Sequence, residues 1–129
     1  MIETGTKFVI ERIVSNDDTA KALGSGELSV LATPKMIALM EESSYRCVAA
    51  SLENGTTTVG TYLDIKHLAA TPVGMQIKVE STLIGIDGRK LTFEVRAFDE
   101  GGLIGEGTHE RFIVYSEKFT TKTYSKLNK

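Results

Sequence analysis

Thr33-Pro34-Lys35-Met36-Ile37-Ala38-Leu39-Met40-Glu41-Glu42-Ser43-Ser44-Tyr45-Arg46-Cys47-Val48 is the stretch whose reading decides the architecture. A hydroxyl residue ahead of a first-turn proline is a good helix start. The spacing predicts one helix from Pro34 to about Leu52, with Thr33 as its cap and Asn54-Gly55 as its stop. At about 100° per residue, Met36, Ile37, Met40, Ser44, Cys47, Val48 and Ser51 share one broad arc. Glu41 falls at the margin of that arc. Glu42 points to the other side, one turn before Arg46, where a solvated ion pair is expected.

Outward from this helix the pattern changes to strands. Lys7 to Val14 is rich in β-branched and aromatic residues and reads as a strand. Ser15 to Gly26 is polar and reads as a loop, and Leu28 to Leu31 as a short strand. Four strands follow, roughly Thr57 to Leu68, Gln76 to Ile86, Lys90 to Phe98 and Leu103 to Tyr115. Asp87-Gly88 signals a tight hairpin, and Glu100-Gly101-Gly102 a second one. Leu91, Phe93, Val95 and Ala97 alternate with Thr92, Glu94 and Arg96, the mark of a half-buried antiparallel strand. A lone long helix must bury its apolar face on such a sheet. The expected class is α+β, with one helix on a five- or six-stranded antiparallel sheet. One helix covers only part of that sheet, and open edges need a partner. A dimer is therefore expected.

Bulk properties narrow the function. A chain of 129 residues suggests one domain, residues 1–129. A net charge of -2 gives no argument for nucleic acid or an anionic membrane. Lys118, Lys122, Lys126 and Lys129 gather near the C-terminal end and read as a solvated tail. Cys47 is the single cysteine, which excludes an intrachain disulfide and a cysteine zinc cluster. On the apolar arc it reads as a small core residue. There is no basic-then-apolar leader pattern and no apolar run of membrane-spanning length. A cytoplasmic setting is expected.

The chemistry-bearing residues are few, and each has a plain alternative. Thr33 is explained by capping alone, although its hydroxyl also lies where helix N–H groups favour negative charge. Glu41 is equally a boundary carboxylate reaching water. His67 interrupts the alternating run Tyr62-Leu63-Asp64-Ile65-Lys66-His67-Leu68. It is either a satisfied strand-end histidine or a general base at neutral pH. His109 competes with it, and pattern alone does not choose. Two histidines with scattered carboxylates do not make a metal site. Gly102, Gly105 and Gly107 enter a strand rather than open a helix, so they form no phosphate loop. The Gly-x-Ser-x-Gly elbow is missing.

The order of short motifs goes further. Ala32-Thr33-Pro34 precedes Leu39-Met40-Glu41. Gly60 follows, seven residues before His67. Then come Ala69-Ala70-Thr71-Pro72 with Gly74, Gly107-Thr108-His109-Glu110-Arg111, and Glu117-Lys118-Phe119. In this order and spacing, over about Gly5 to Lys122, the chain resembles the hot-dog-fold thioesterases, in particular the fluoroacetyl-CoA thioesterase branch. The resemblance implies a hot-dog fold and hydrolysis of an acyl-CoA to the free acid and CoA, with no further cofactor. It implies a homodimer with the site at the subunit interface. It implies Thr33, Glu41 and His67 as the catalytic set, which selects His67 over His109 and Glu41 over Glu42. Gly60 would stand close to the thioester carbonyl, and Arg111 would orient a carboxylate or hold the CoA portion.

One feature departs from that branch, where an aromatic-bearing lid precedes the helix. Asp17 to Leu31 is shorter here and holds no aromatic residue, so a small or medium acyl group is expected without a fluorine gate. Three other readings stay open. One is an acyl-thioester dehydratase or hydratase on the same fold. Another is an acyl-CoA-binding protein without turnover. The third is a purely structural dimer in which Thr33 caps, Glu41 is solvated and His67 satisfies the core.

Overall fold

Leu91, Phe93, Val95 and Ala97 have no exposed surface, as their alternation requires of a strand with one face on a core. The computed structural model describes residues 2–128. In chain order its elements are β1 (Lys7–Ile13), α1 (Ala20–Leu23), α2 (Thr33–Ala49), β2 (Thr56–His67), β3 (Gln76–Asp87), β4 (Lys90–Asp99), β5 (Gly102–Tyr115) and α3 (Ser116–Tyr124). The five strands form one antiparallel sheet in the order β1-β3-β4-β5-β2. β1 and β2 are its edges. α2 lies across one face, chiefly on β3, with further contacts to β1, β2 and β4. This is the expected α+β arrangement, with five strands.

Met36, Leu39, Met40 and Val48 of α2 are buried against Ile77, Val79 and Leu83 of β3 and the apolar face of β4. Burying each such side chain stabilises the fold by about 1.5–3 kcal/mol. The buried face is rotated from the expected arc. Leu39 and Ser43 join it, and Ser51 is exposed beyond the helix end. The serines enter the core because their hydroxyls are satisfied there. Ser44 Oγ donates to the Met40 carbonyl at 2.8 Å, and Ser43 and Ser44 both hydrogen-bond Ser81 Oγ. Cys47 is half-buried rather than buried. Burial pushes its thiol pKa up, partly offset by the Leu83 backbone. Glu42 receives Arg46 at 3.1 Å, as expected, and also Arg12 at 3.2 Å.

Several boundaries differ from expectation. Ala32, not Thr33, is the N-cap. Thr33 is the first helical residue and makes no capping bond. The helix stops at Ala49, ahead of Leu52. The expected strand at Leu28 to Leu31 is only a pair of isolated bridges, Thr19 with Leu31 and Val30 with Pro72. The loop at Ser15 to Gly26 contains a 3-10 turn, Asn16–Asp18, and then α1. Asp87 pairs with Lys90, so the hairpin turns on Gly88-Arg89, one residue beyond the signal at Asp87-Gly88. The lysine-rich tail folds as α3 followed by a 3-10 turn, Ser125–Asn128, while Lys129 lies outside the described residues. Among the described residues no helix is long and apolar enough to cross a membrane.

Candidate active site

The segment ahead of α2 fixes where the helix begins. Ala32 N–H donates to the Asp18 carbonyl and Leu31 N–H to the Thr71 carbonyl, both at 2.9 Å. Lys35 reaches Asp18 at 3.6 Å. The Thr33 hydroxyl, free of capping duty, meets His67 at the end of β2. Thr33 Oγ1 and His67 Nδ1 share a hydrogen bond of 2.7 Å. The other ring nitrogen, Nε2, is buried and has no partner among the described residues. Such an orphaned atom calls for an explanation. Burial lowers the His67 pKa, partly offset by the Ala69 backbone, so the imidazole is neutral at pH 7. A hollow of about 400 Å3 opens beside the pair. Its walls include Ala20, Ser25, Val30, Leu68, Ala69 and Ala70.

Glu41 belongs to a second cluster. It lines a hollow of about 390 Å3 with Ala38, Tyr45, Thr58, Gly60 and Arg111. Gly60 pairs with Arg111 across β2 and β5, just before a bulge in β2. A Cβ at Gly60 would come within 2.9 Å of Glu41 Oε2 and 3.3 Å of Arg111 Nη1. Only glycine leaves this carboxylate and guanidinium undisturbed there. Arg111 is held on three sides. Its Nε donates to Thr58 Oγ1 at 2.8 Å, and Nη2 to the Thr58 carbonyl at 2.9 Å. Its Nη1 donates to His109 Nε2 at 3.1 Å. Accepting at Nε2, His109 carries its proton on Nδ1 and donates it to the Tyr62 carbonyl at 2.9 Å. Burial works against the Arg111 charge, offset in part by Glu41, yet a guanidinium stays protonated in proteins.

The five expected site residues therefore fall into two groups. Thr33 and His67 touch, and Glu41, Gly60 and Arg111 gather elsewhere. Eight residues of helix put Glu41 about 12 Å along the axis from Thr33. Seven residues of strand put Gly60 about 23 Å from His67. His109, set aside in the sequence reading, proves to be the residue that holds Arg111. The two-residue spacing of His109 and Arg111 on a strand, which puts both on one face, was the signal for it. Among the described residues no group of three His, Cys, Asp or Glu side chains could hold a metal ion.

The chain is similar to known proteins over nearly its whole length. The chain aligns over 99% of its length, and 94% of the other, with a Thermus thermophilus member of the thioesterase superfamily, at 28% identity and a TM-score of 0.89. It covers 92% of its own length and 99% of the other with a variant of the fluoroacetyl-CoA-specific thioesterase solved with fluoroacetate and CoA, at 35% identity and a TM-score of 0.87. The fold is thus that of the hot-dog thioesterases, and the chain is a thioester hydrolase by class. More particularly, residues 14–117 match the family model of the fluoroacetyl-CoA-specific thioesterase, and the chain belongs to that family. The fluoroacetyl-CoA thioesterase of Streptantibioticus cattleyicolor is 41% identical over 97 residues, 75% of this chain and 70% of its own.

Proposed function

We propose that this protein hydrolyses acyl-CoA esters of small to medium acyl groups at a site completed by a second copy of the chain. The observation that carries the reading is the 2.7 Å bond between Thr33 and His67, with His67 Nε2 buried and unpartnered. If Nδ1 keeps its proton and donates it to Thr33 Oγ1, the free lone pair sits on Nε2. Water admitted to that nitrogen in the substrate complex gives it a proton as the water oxygen attacks the thioester carbonyl. The carbonyl oxygen gains charge near the N-terminus of α2, where backbone N–H groups and the dipole favour it. The C–S bond then breaks, and His67 returns the proton to the CoA thiolate. The same 2.7 Å bond also serves a second order of events. There Thr33 donates to Nδ1 and attacks as nucleophile. An acyl group found on Thr33 by mass spectrometry would select it.

Glu41 lies about 12 Å along the helix from Thr33. In this reading Glu41 of the second copy, with its Gly60 and Arg111, closes over the thioester and orients water or the acyl group. The exposed edge of β2, with Tyr62 and Leu63 on it, supports a pairing that joins the two copies. The small residues lining the hollow at His67, and the absence of an aromatic residue from Asp17 to Leu31, support an acyl pocket without a fluorine gate. The reading keeps the chain in the cytoplasm, where acyl-CoA is made and consumed.

The test is free-thiol release from acyl-CoA esters of increasing chain length. His67→Ala should lower turnover by about 10²–10⁴ while its circular dichroism stays that of the wild type. Full activity in a folded His67→Ala variant would remove His67 from the mechanism. Tight binding of every ester without release would make the protein a binder instead.

A further inference from the structure

Arg89, Lys118 and Lys122 converge on a hollow of about 270 Å3 with Tyr115 and Phe119 in its walls. The three cations come from two places in the sequence, the β3–β4 turn and the first two turns of α3. Both places are anchored. The Arg89 carbonyl accepts from Ile113 N–H at 3.0 Å, and Ser116 N–H donates to the Gly55 carbonyl at 2.9 Å. Lys118 and Lys122 stand one turn apart and share a side of α3, a like-charge spacing that costs stability unless something anionic lies between them. Glu117 is adjacent in sequence to Lys118, so the helix turns it to a different side. None of the three cations makes an ion pair among the described residues, although Lys7, Arg12, Lys35, Arg46, Lys90 and Arg96 all do. The Arg89 guanidinium lies over the Tyr115 ring, 5.3 Å from its centroid. That contact pre-orients the cation and leaves an aromatic edge beside it.

The position of this hollow matters as much as its charge. Residues 109, 111, 113 and 115 lie on one face of β5. Arg111, in the cluster with Glu41 and Gly60, is therefore on the same face as Tyr115 and about 13 Å from it along the strand. A long ligand with its reactive end at Arg111 and its body along this face ends at Arg89, Lys118 and Lys122.

We infer that this hollow is the subsite for the nucleotide end of CoA, with Arg89, Lys118 and Lys122 taking its phosphates and the Tyr115 and Phe119 rings flanking its adenine. The inference rests on the acyl-CoA reading above. Cations meeting phosphate make short charge-assisted bonds, and an aromatic wall offers the purine a stacking face.

The test compares one acyl group carried on CoA with the same group carried on N-acetylcysteamine, which lacks the nucleotide. In the double variant Lys118→Glu, Lys122→Glu, KM for the CoA ester should rise by about tenfold or more, a factor expected when even one good phosphate contact is lost. Its kcat should hold, and rates on the N-acetylcysteamine ester should match the wild type. Arg89→Gln should move KM the same way. An unchanged KM for the CoA ester, or equal losses on both esters, overturns the inference. Calorimetry with adenosine 3′,5′-bisphosphate reads the subsite without turnover. Binding to the wild type that is lost in the double variant supports the subsite even if neither ester is hydrolysed, in which case only the thioesterase reading fails. No binding to the wild type overturns the subsite.

Discussion

His109 has no exposed surface, yet both ring nitrogens are in use, one toward Tyr62 and the other toward Arg111. Burial lowers its pKa from the ordinary value near 6.5. The Arg111 charge acts in the same direction, and the Tyr62 backbone, Glu41 and Glu110 oppose in part. In the unfolded chain this histidine takes up a proton below about pH 6.5, while in the folded chain it stays neutral to lower pH. Its contribution to stability is therefore fully present at higher pH and is lost as pH falls below about 6.5. Melting temperatures taken from pH 7.5 down to pH 5.5 should fall, and His109→Gln, which has no such proton to gain, should fall less steeply. Parallel slopes in the two proteins would mean that His109 is protonated in the fold and does not hold Arg111 as described. Local pattern did not distinguish this histidine from His67; only the order of the motifs favoured His67, and only the two-residue spacing to Arg111 marked His109. Both sit in strands among charged neighbours, and only the surroundings gave one a hydroxyl and the other a guanidinium.

Among the elements, α2 and β4 were legible because their periods are long and unbroken. The helix start was legible in Pro34, but the role of Thr33 was not. A threonine before proline caps a helix unless the chain has already turned one residue earlier, and here the anchoring of Leu31 and Ala32 to Thr71 and Asp18 starts the helix at Thr33. α3 was missed because its sequence, Ser-Glu-Lys-Phe-Thr-Thr-Lys-Thr-Tyr, is rich in weak helix formers and carries no apolar stripe. The seat of α2 on the sheet depends on Gly105, where a Cβ would fall 2.6 Å from Met36 Sδ and 3.1 Å from the Lys66 carbonyl. Met36 itself has no exposed surface. Met36→Ala should lower unfolding stability by about 2–5 kcal/mol, read as a lower urea midpoint with an unchanged slope. A loss under about 1 kcal/mol would show that the helix settles into the space.

For the whole molecule, the separation of Thr33 and His67 from Glu41, Gly60 and Arg111 makes a specific demand of the proposed function. If each working site takes one half from each copy, His67→Ala and Glu41→Gln fail for different reasons and repair one another. Mixing the two inactive proteins under conditions that exchange subunits should restore about a quarter of wild-type turnover, since half the dimers are mixed and half of their sites are intact. No recovery, with exchange confirmed by mass, would place His67 and Glu41 in one chain's site. By itself the sequence determined the α+β class, the core strands and, through the order of its motifs, the family. Those follow from periodicity and local spacing, which act over a few residues. The tertiary structure decided that Thr33 faces His67 rather than capping its helix, that His109 holds Arg111, that the lysine-rich end folds against an aromatic hollow, and that Glu41 lines a hollow with Gly60 and Arg111 and not the one at Thr33 and His67. Those depend on which strand lies beside which and where the helix comes to rest on them, distances that no local pattern encodes.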